Sequence, residues 1–167
     1  LPARLAATAE AHGIHPSRLV VEIVEHAPAW TDPGLEPALR CLRRLQVRIA
    51  LDDVGFGNSN YKMMLDVRPE YFKLDRRLVH GCHADPYRRA VIESVASLAG
   101  KVQARVIAEG VEVAAEVVAL RDIGIDLVQG WFFAPAGPAC SLPAPGSFPT
   151  AVPRGRRSAV CVESAVR

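Results

Sequence analysis

The sequence predicts an α/β protein built on a parallel sheet, open or closed into a barrel. Two observations carry this. Five short apolar runs alternate with stretches of helical period, and such alternation sends each strand through a helix to a parallel neighbour. The five runs also end in carboxylates, one lysine and one amide, the kind of side chain that parallel strands deliver to a common rim. At 167 residues the chain is long enough for one domain with its own core.

The elements follow in order. A helix from about Pro2 ends at Gly13. "LVVEIV" at 19–24 reads as a buried strand. In 35–46, Leu35, Leu39, Leu42 and Leu45 recur at three- and four-residue steps, which makes one apolar helix face. "VRIALDD" at 47–53 is the second strand and "EYFKLD" at 70–75 the third. Asp85 caps a helix over 85–99, with Pro86 at its first position and Val91, Ile92, Val95 and Leu98 along it. "ARVIAEG" at 104–110 is the fourth strand. A helix over 113–123 stops at Gly124, and "DLVQGWFF" at 126–133 is the fifth strand. From about residue 134 the period disappears. The Pro-, Ala-, Ser- and Arg-rich stretch 139–167 reads as a disordered tail, and Arg154, Arg156 and Arg157 as solvated charges within it.

Composition excludes several function classes. Net charge is only +2, so no general attraction to nucleic acid or anionic membrane follows. No apolar run reaches the length of a membrane span. Cys41, Cys82, Cys140 and Cys161 form no Cys-x-x-Cys pair, so zinc-ribbon and thioredoxin readings lack support. They read as reduced thiols of a cytoplasmic protein. His80 and His83 flank Cys82 in "HGCHAD", but no second ligand pair accompanies them, and a loop before a capped helix explains them better.

The strand ends concentrate the chemistry. Glu22 and Glu25 end the first strand, Asp52 and Asp53 the second, Lys73 and Asp75 the third, Glu109 and Glu112 the fourth; Gln129 lies on the fifth. Converging carboxylates stay ionised only beside cations, and one lysine does not balance them. Hard divalent ions with oxygen ligands, Mg²⁺ or Mn²⁺, are the natural complement. A solvated turn or helix cap explains any one acidic pair equally well; it does not explain all five ends. "GFGNSN" after Asp53 supplies a pliable loop. Of the two tryptophans, Trp131 is the better candidate for stacking on a base and Trp30 reads as packing.

The ordered set "VEIVE", "ALDDVGFGNS", "FKLD", "VIAEGVE" and "VQGWFF" resembles the EAL-domain phosphodiesterases of bacterial signalling, which typically show ELTE, DDFGxGYSS, KID, AEGVE and QGY. The spacings from Glu22 to Asp52, Lys73, Glu109 and Gln129 agree as well, and the resemblance covers about residues 1–135. It implies about five β/α units, the C-terminal portion of a TIM-type (β/α)₈ barrel, within a partial EAL domain at 1–138. It implies hydrolysis of cyclic di-GMP to pGpG by metal-activated water, with two ions. By resemblance Glu22, Asp52, Asp53, Asp75 and Glu109 are metal ligands. Lys73, Glu109 and Gln129 are catalytic, Lys73 contacting the attacking water, and Glu25 and Glu112 support the loop. Homodimerisation and upstream domains belong to the same expectation.

Three departures qualify it. The Glu-Ala-Leu motif is absent, and the chain opens on Leu1 within a helical pattern, so it reads as beginning after the first three strands. Val54 and Asn58 stand where Phe and Tyr are usual, and the tail does not resemble the family. Little activity is therefore expected of the 167 residues alone. Two alternatives stay open: a non-catalytic EAL-like module binding cyclic di-GMP or a protein, and a Mg²⁺-dependent barrel lyase with a lysine base.

Overall fold

The structure is a computed structural model and describes residues 2–24, 33–55 and 61–137. Glu25, His26, Trp30, Asn58, Cys140, Cys161 and the expected tail lie outside the described residues. In chain order there are α1 (Pro2–Ala11), a 3₁₀ turn (Pro16–Arg18), β1 (Val20–Val24), α2 (Leu35–Arg44), β2 (Arg48–Val54), α3 (Tyr61–Val67) and β3 (Tyr71–Leu74). Then come α4 (Arg76–Val79), α5 (Pro86–Lys101), β4 (Arg105–Ala108), α6 (Ala114–Asp122) and β5 (Leu127–Val128). The strands form one sheet in the order β1-β2-β3-β4-β5, the parallel α/β architecture that the alternation predicts.

The chain divides into two compact units, Leu1–Phe72 and Lys73–Arg167. In the first, β1 runs parallel to β2 in a register from Val20↔Arg48 to Val24↔Asp52. Leu39 of α2, Ile49 of β2 and Val67 of α3 form a buried cluster, with Ile23 and Leu35 packed against it. Burying each such side chain stabilises by about 1.5–3 kcal/mol. Polar bonds then set the approach to β3. The Glu70 carboxylate accepts the Ile49 N–H at 2.7 Å, and the Glu70 N–H donates to the Ile49 carbonyl at 2.9 Å. Arg43 donates to the carbonyls of Val67 and Arg68, groups that a helix end leaves without intrahelical partners.

In the second unit β4 runs parallel to β5, Ile107 beside Leu127 and Ala108 beside Val128. Asp85 caps α5 as expected, its carboxylate accepting the N–H groups of Tyr87 and Arg88 at 2.9 and 3.3 Å. The Arg88 N–H foremost holds the Asp85 carboxyl below its usual range.

Four helices end in the same way. Ile14, Val47, Ala104 and Ile125 donate to the carbonyls of Ala9, Leu42, Ala99 and Leu120, at 2.9 to 3.0 Å. The residue before each donor, Gly13, Gln46, Gln103 or Gly124, has positive φ. These are Schellman caps, which absorb the last helical carbonyls and turn the chain into the next strand.

Several expectations need correction. The fifth strand is only Leu127–Val128, because residues 131–133 form a turn in which Phe132 N–H bonds the Val111 carbonyl at 3.0 Å. The short helices α3 and α4 were not expected. The first two strands keep their expected places, with Asp52 and Asp53 near the end of β2.

Candidate functional site

The first unit supplies Glu22, Asp52 and Asp53. Glu22 stands beside Ala50 and Asp52 beside Val24, and strand residues two apart share a face. Glu22 and Asp52 therefore lie on the same face of the β1–β2 pair. Strict alternation would turn Asp53 to the opposite face. Asp53 instead has φ +59°, and its N–H donates to the Asp52 carboxylate at 3.1 Å. Left-handed backbone is uncommon outside glycine, and Asp tolerates it best when its neighbourhood supplies local hydrogen bonds.

The second unit supplies Lys73, Asp75, Glu109, Glu112 and Gln129. Every residue of β3 is buried, Lys73 included. Its ammonium lies 2.7 Å from the Glu109 carboxylate, and the same oxygen accepts the Gln129 amide at 2.8 Å. The ladder explains the meeting. The Glu109 N–H donates to the Leu74 carbonyl and the Gln129 N–H to the Ala108 carbonyl, so the three residues occupy adjacent strand ends. Burying a charge is tolerated when it is paired and hydrogen-bonded, which Lys73 and Glu109 achieve together.

Two glycines permit this approach. A Cβ on Gly130 would lie 2.1 Å from the Val111 carbonyl oxygen, so only glycine lets the segment after Gln129 lie against that backbone. A Cβ on Gly110, at φ +66°, would lie 2.4 Å from the Arg76 Cβ.

The remaining acids face other partners. The Asp75 carboxylate caps α4 by accepting the Arg77 N–H at 2.6 Å, and it pairs with the Arg77 guanidinium at 2.8 Å. Glu112 lies 3.8 Å from the His80 imidazole. Cys82 is buried beside this loop, and burial first, then the Glu116 charge, pushes its thiol up. Trp131 is largely exposed.

Sequence reasoning missed Glu116. It is 1% exposed, and its carboxylate accepts three backbone N–H groups: Gly81 at 2.8 Å, Glu112 at 2.9 Å and Val113 at 3.2 Å. A glutamate at the third position of a helix is the signal of a capping box. The serine or threonine that normally announces the box is a valine here, which offers no side-chain acceptor. Burial, the largest single influence, would raise the Glu116 carboxyl. The three N–H groups and the His80 ring outweigh it and hold the carboxyl below its usual range.

The donor set has the right chemistry for a hard divalent cation, since carboxylate oxygens dominate it. Among the described residues, however, no three His, Cys, Asp or Glu side chains gather closely enough to hold an ion. What fits is the chemistry of the ligands; a preassembled cage is absent among the described residues.

The EAL domain model matches residues 1–136. The chain belongs to the EAL domain family. It is 30% identical over 115 residues to the cyclic di-GMP phosphodiesterase TpdA of Vibrio parahaemolyticus, covering 69% of this chain and 20% of TpdA. It is 29% identical over 143 residues to the oxygen sensor protein DosP of Escherichia coli, covering 86% of this chain and 18% of DosP. The EAL chain thus spans about a fifth of these curated relatives. Among solved structures it resembles Klebsiella pneumoniae BlrP1 in complex with manganese and cyclic di-GMP, with TM-score 0.75 and 28% identity, over 80% of this chain and 34% of BlrP1. The five-stranded α/β architecture is that of the TIM-barrel-like EAL fold.

Proposed function

We propose that this EAL chain belongs to a metal-dependent phosphodiesterase that hydrolyses cyclic di-GMP to pGpG. The observation that carries the proposal is the buried Lys73–Glu109–Gln129 constellation at three adjacent strand ends. Phosphodiester hydrolysis needs a fixed positive group beside the attacking water and donors held still while charge develops. The naming of TpdA as a cyclic di-GMP phosphodiesterase and the ligands of BlrP1 support the choice of substrate and of a divalent ion.

In this reading Glu22, Asp52, Asp53, Asp75 and Glu109 would hold the cation, Mg²⁺ or Mn²⁺, as two ions. When bound, the ions supply Lewis acidity and a nucleophile at neutral pH. The protein's own residues do the rest. Lys73, kept from bulk water, favours the deprotonated form of a water beside it by Coulomb attraction. Gln129 fixes the rotamer of Glu109 and leaves one amide proton for a second acceptor. Glu25 and Glu112 steady the loops around the site. Cys41 and Cys82 are free thiols. Among the described residues no helix is long and apolar enough to cross a membrane.

The second reading is a module that binds cyclic di-GMP or a protein partner without hydrolysing it. One experiment separates the two: pGpG production with Mg²⁺ or Mn²⁺, alongside calorimetry of Mn²⁺ binding. Asp52→Asn is expected to abolish turnover and weaken Mn²⁺ binding, because an amide is a poor ligand for a hard cation. Lys73→Ala is expected to leave Mn²⁺ affinity largely intact and to slow turnover. Tight cyclic di-GMP binding with no pGpG from the unmutated protein would replace the first reading by the second.

A further inference from the structure

Two loops leave the strand ends that carry the buried ion pair. One follows β3 through Asp75 and α4 to His80 and Gly81. The other follows β4 through Glu109 and Gly110 to Glu112 and Val113. The Lys73–Glu109 pair, 2.7 Å apart, sits at the root of both loops, where the strand ladder brings the two residues together. The Glu109 N–H donates to the Leu74 carbonyl at 3.2 Å, Gly110 lies against the Arg76 stem, and Glu116 closes the far end.

Glu116 is built as a clasp. One carboxylate oxygen accepts the Gly81 N–H from the first loop, and the other accepts the Glu112 and Val113 N–H groups from the second. The side chain is almost wholly buried, so each bond is worth more than it would be in water and each lost partner leaves an orphaned amide. The imidazole of His80 lies 3.7 Å from Glu116 and adds favourable charge when protonated. An ordinary capping box serves one helix. This one also reaches 35 residues back along the chain to another loop, which capping does not require.

We propose that Glu116 is a positioning residue for the Lys73–Glu109 pair, acting by locking the loop at Gly81 to the loop that follows Glu109. The proposal deepens the phosphodiesterase reading and rests on it for its catalytic readout.

Glu116→Gln is the informative variant. Its one carbonyl oxygen can still accept the Glu112 and Val113 N–H groups, while its NH₂ then meets the Gly81 N–H donor to donor. The substitution therefore opens the clasp and keeps the helix cap. In the full polypeptide, hydrogen exchange is expected to accelerate at Gly81 and Glu109, with Val113 and the remote Val47 amide unchanged. Turnover of cyclic di-GMP is expected to fall on the order of ten- to a hundredfold in kcat, with KM changed less than about threefold, since misplacement by about 1 Å costs rates of that order. Lys73→Ala serves as the inactive reference. Loss of Gly81 protection with kcat unchanged would overturn the proposal and leave a purely structural clasp. If the unmutated protein does not hydrolyse cyclic di-GMP, the phosphodiesterase reading fails instead. Exchange then decides the positioning role: unchanged protection of the Glu109 amide in Glu116→Gln overturns it, and lost protection sustains it.

Discussion

Lys73→Met removes the ammonium and keeps most of the side-chain volume. It leaves the Glu109 carboxylate largely buried, about a fifth exposed, without the cation 2.7 Å away. Breaking a buried pair from one side typically costs about 3–5 kcal/mol. The residual exposure of Glu109 and its bond from the Gln129 amide reduce this, so about 2–3 kcal/mol is expected. For a domain of this size that lowers Tm by roughly 4–12 °C. Glu109→Gln alone takes one carboxylate from the buried lysine and also destabilises. The double variant Lys73→Met/Glu109→Gln leaves no buried charge at the pair and should recover most of the loss, a coupling of about 1–3 kcal/mol. The assay is thermal and urea unfolding of all four proteins with a chelator present, so that no divalent ion replaces the lysine. Additive single losses, or a Lys73→Met protein as stable as its parent, would refute the argument that each group is buried on account of the other.

Two further outcomes test the framework around the site. Gln103 holds the left-handed position of the α5 cap at φ +59°, where a side chain is strained, so Gln103→Gly should stabilise by up to about 1 kcal/mol, read as a higher urea midpoint at unchanged slope. The Glu116 carboxyl is lowered in the folded chain, so the unfolded chain binds the proton first as pH falls. Its contribution is complete above about pH 4.5 and is lost as pH drops through the lower folded value. Between pH 6 and pH 3, Tm should therefore fall more steeply in the parent than in Glu116→Gln; parallel profiles would contradict the lowered carboxyl.

Much of the fold is legible in local pattern. The leucines of α2 recur with helical period, Asp85-Pro86 announces α5, and Gly124 ends α6, because each of these signals acts within one or two turns of chain. The five strands and their order follow from the alternation, and membership of the EAL family follows from five motifs in sequence. Where local signals are short or conflicting, the reading fails. α3 has seven residues and α4 four, too few to display a period. The aromatic run at 131–133 has strand propensity, yet Gly130 must lie on the Val111 backbone and the chain turns there.

The residue types of the candidate site were readable from the sequence by itself: carboxylates, a lysine and an amide at successive strand ends. Their partners were not. Glu109 meets Lys73 across 36 residues and Gln129 across 20, and Glu116 reaches Gly81 across 35. Asp75, a ligand by resemblance, is seen capping α4 and bonded to Arg77. A side chain's type is written in the sequence, and so is the strand that carries it. Which donor answers a buried charge depends on the register and close approach of neighbouring strands, and only the folded chain decides that.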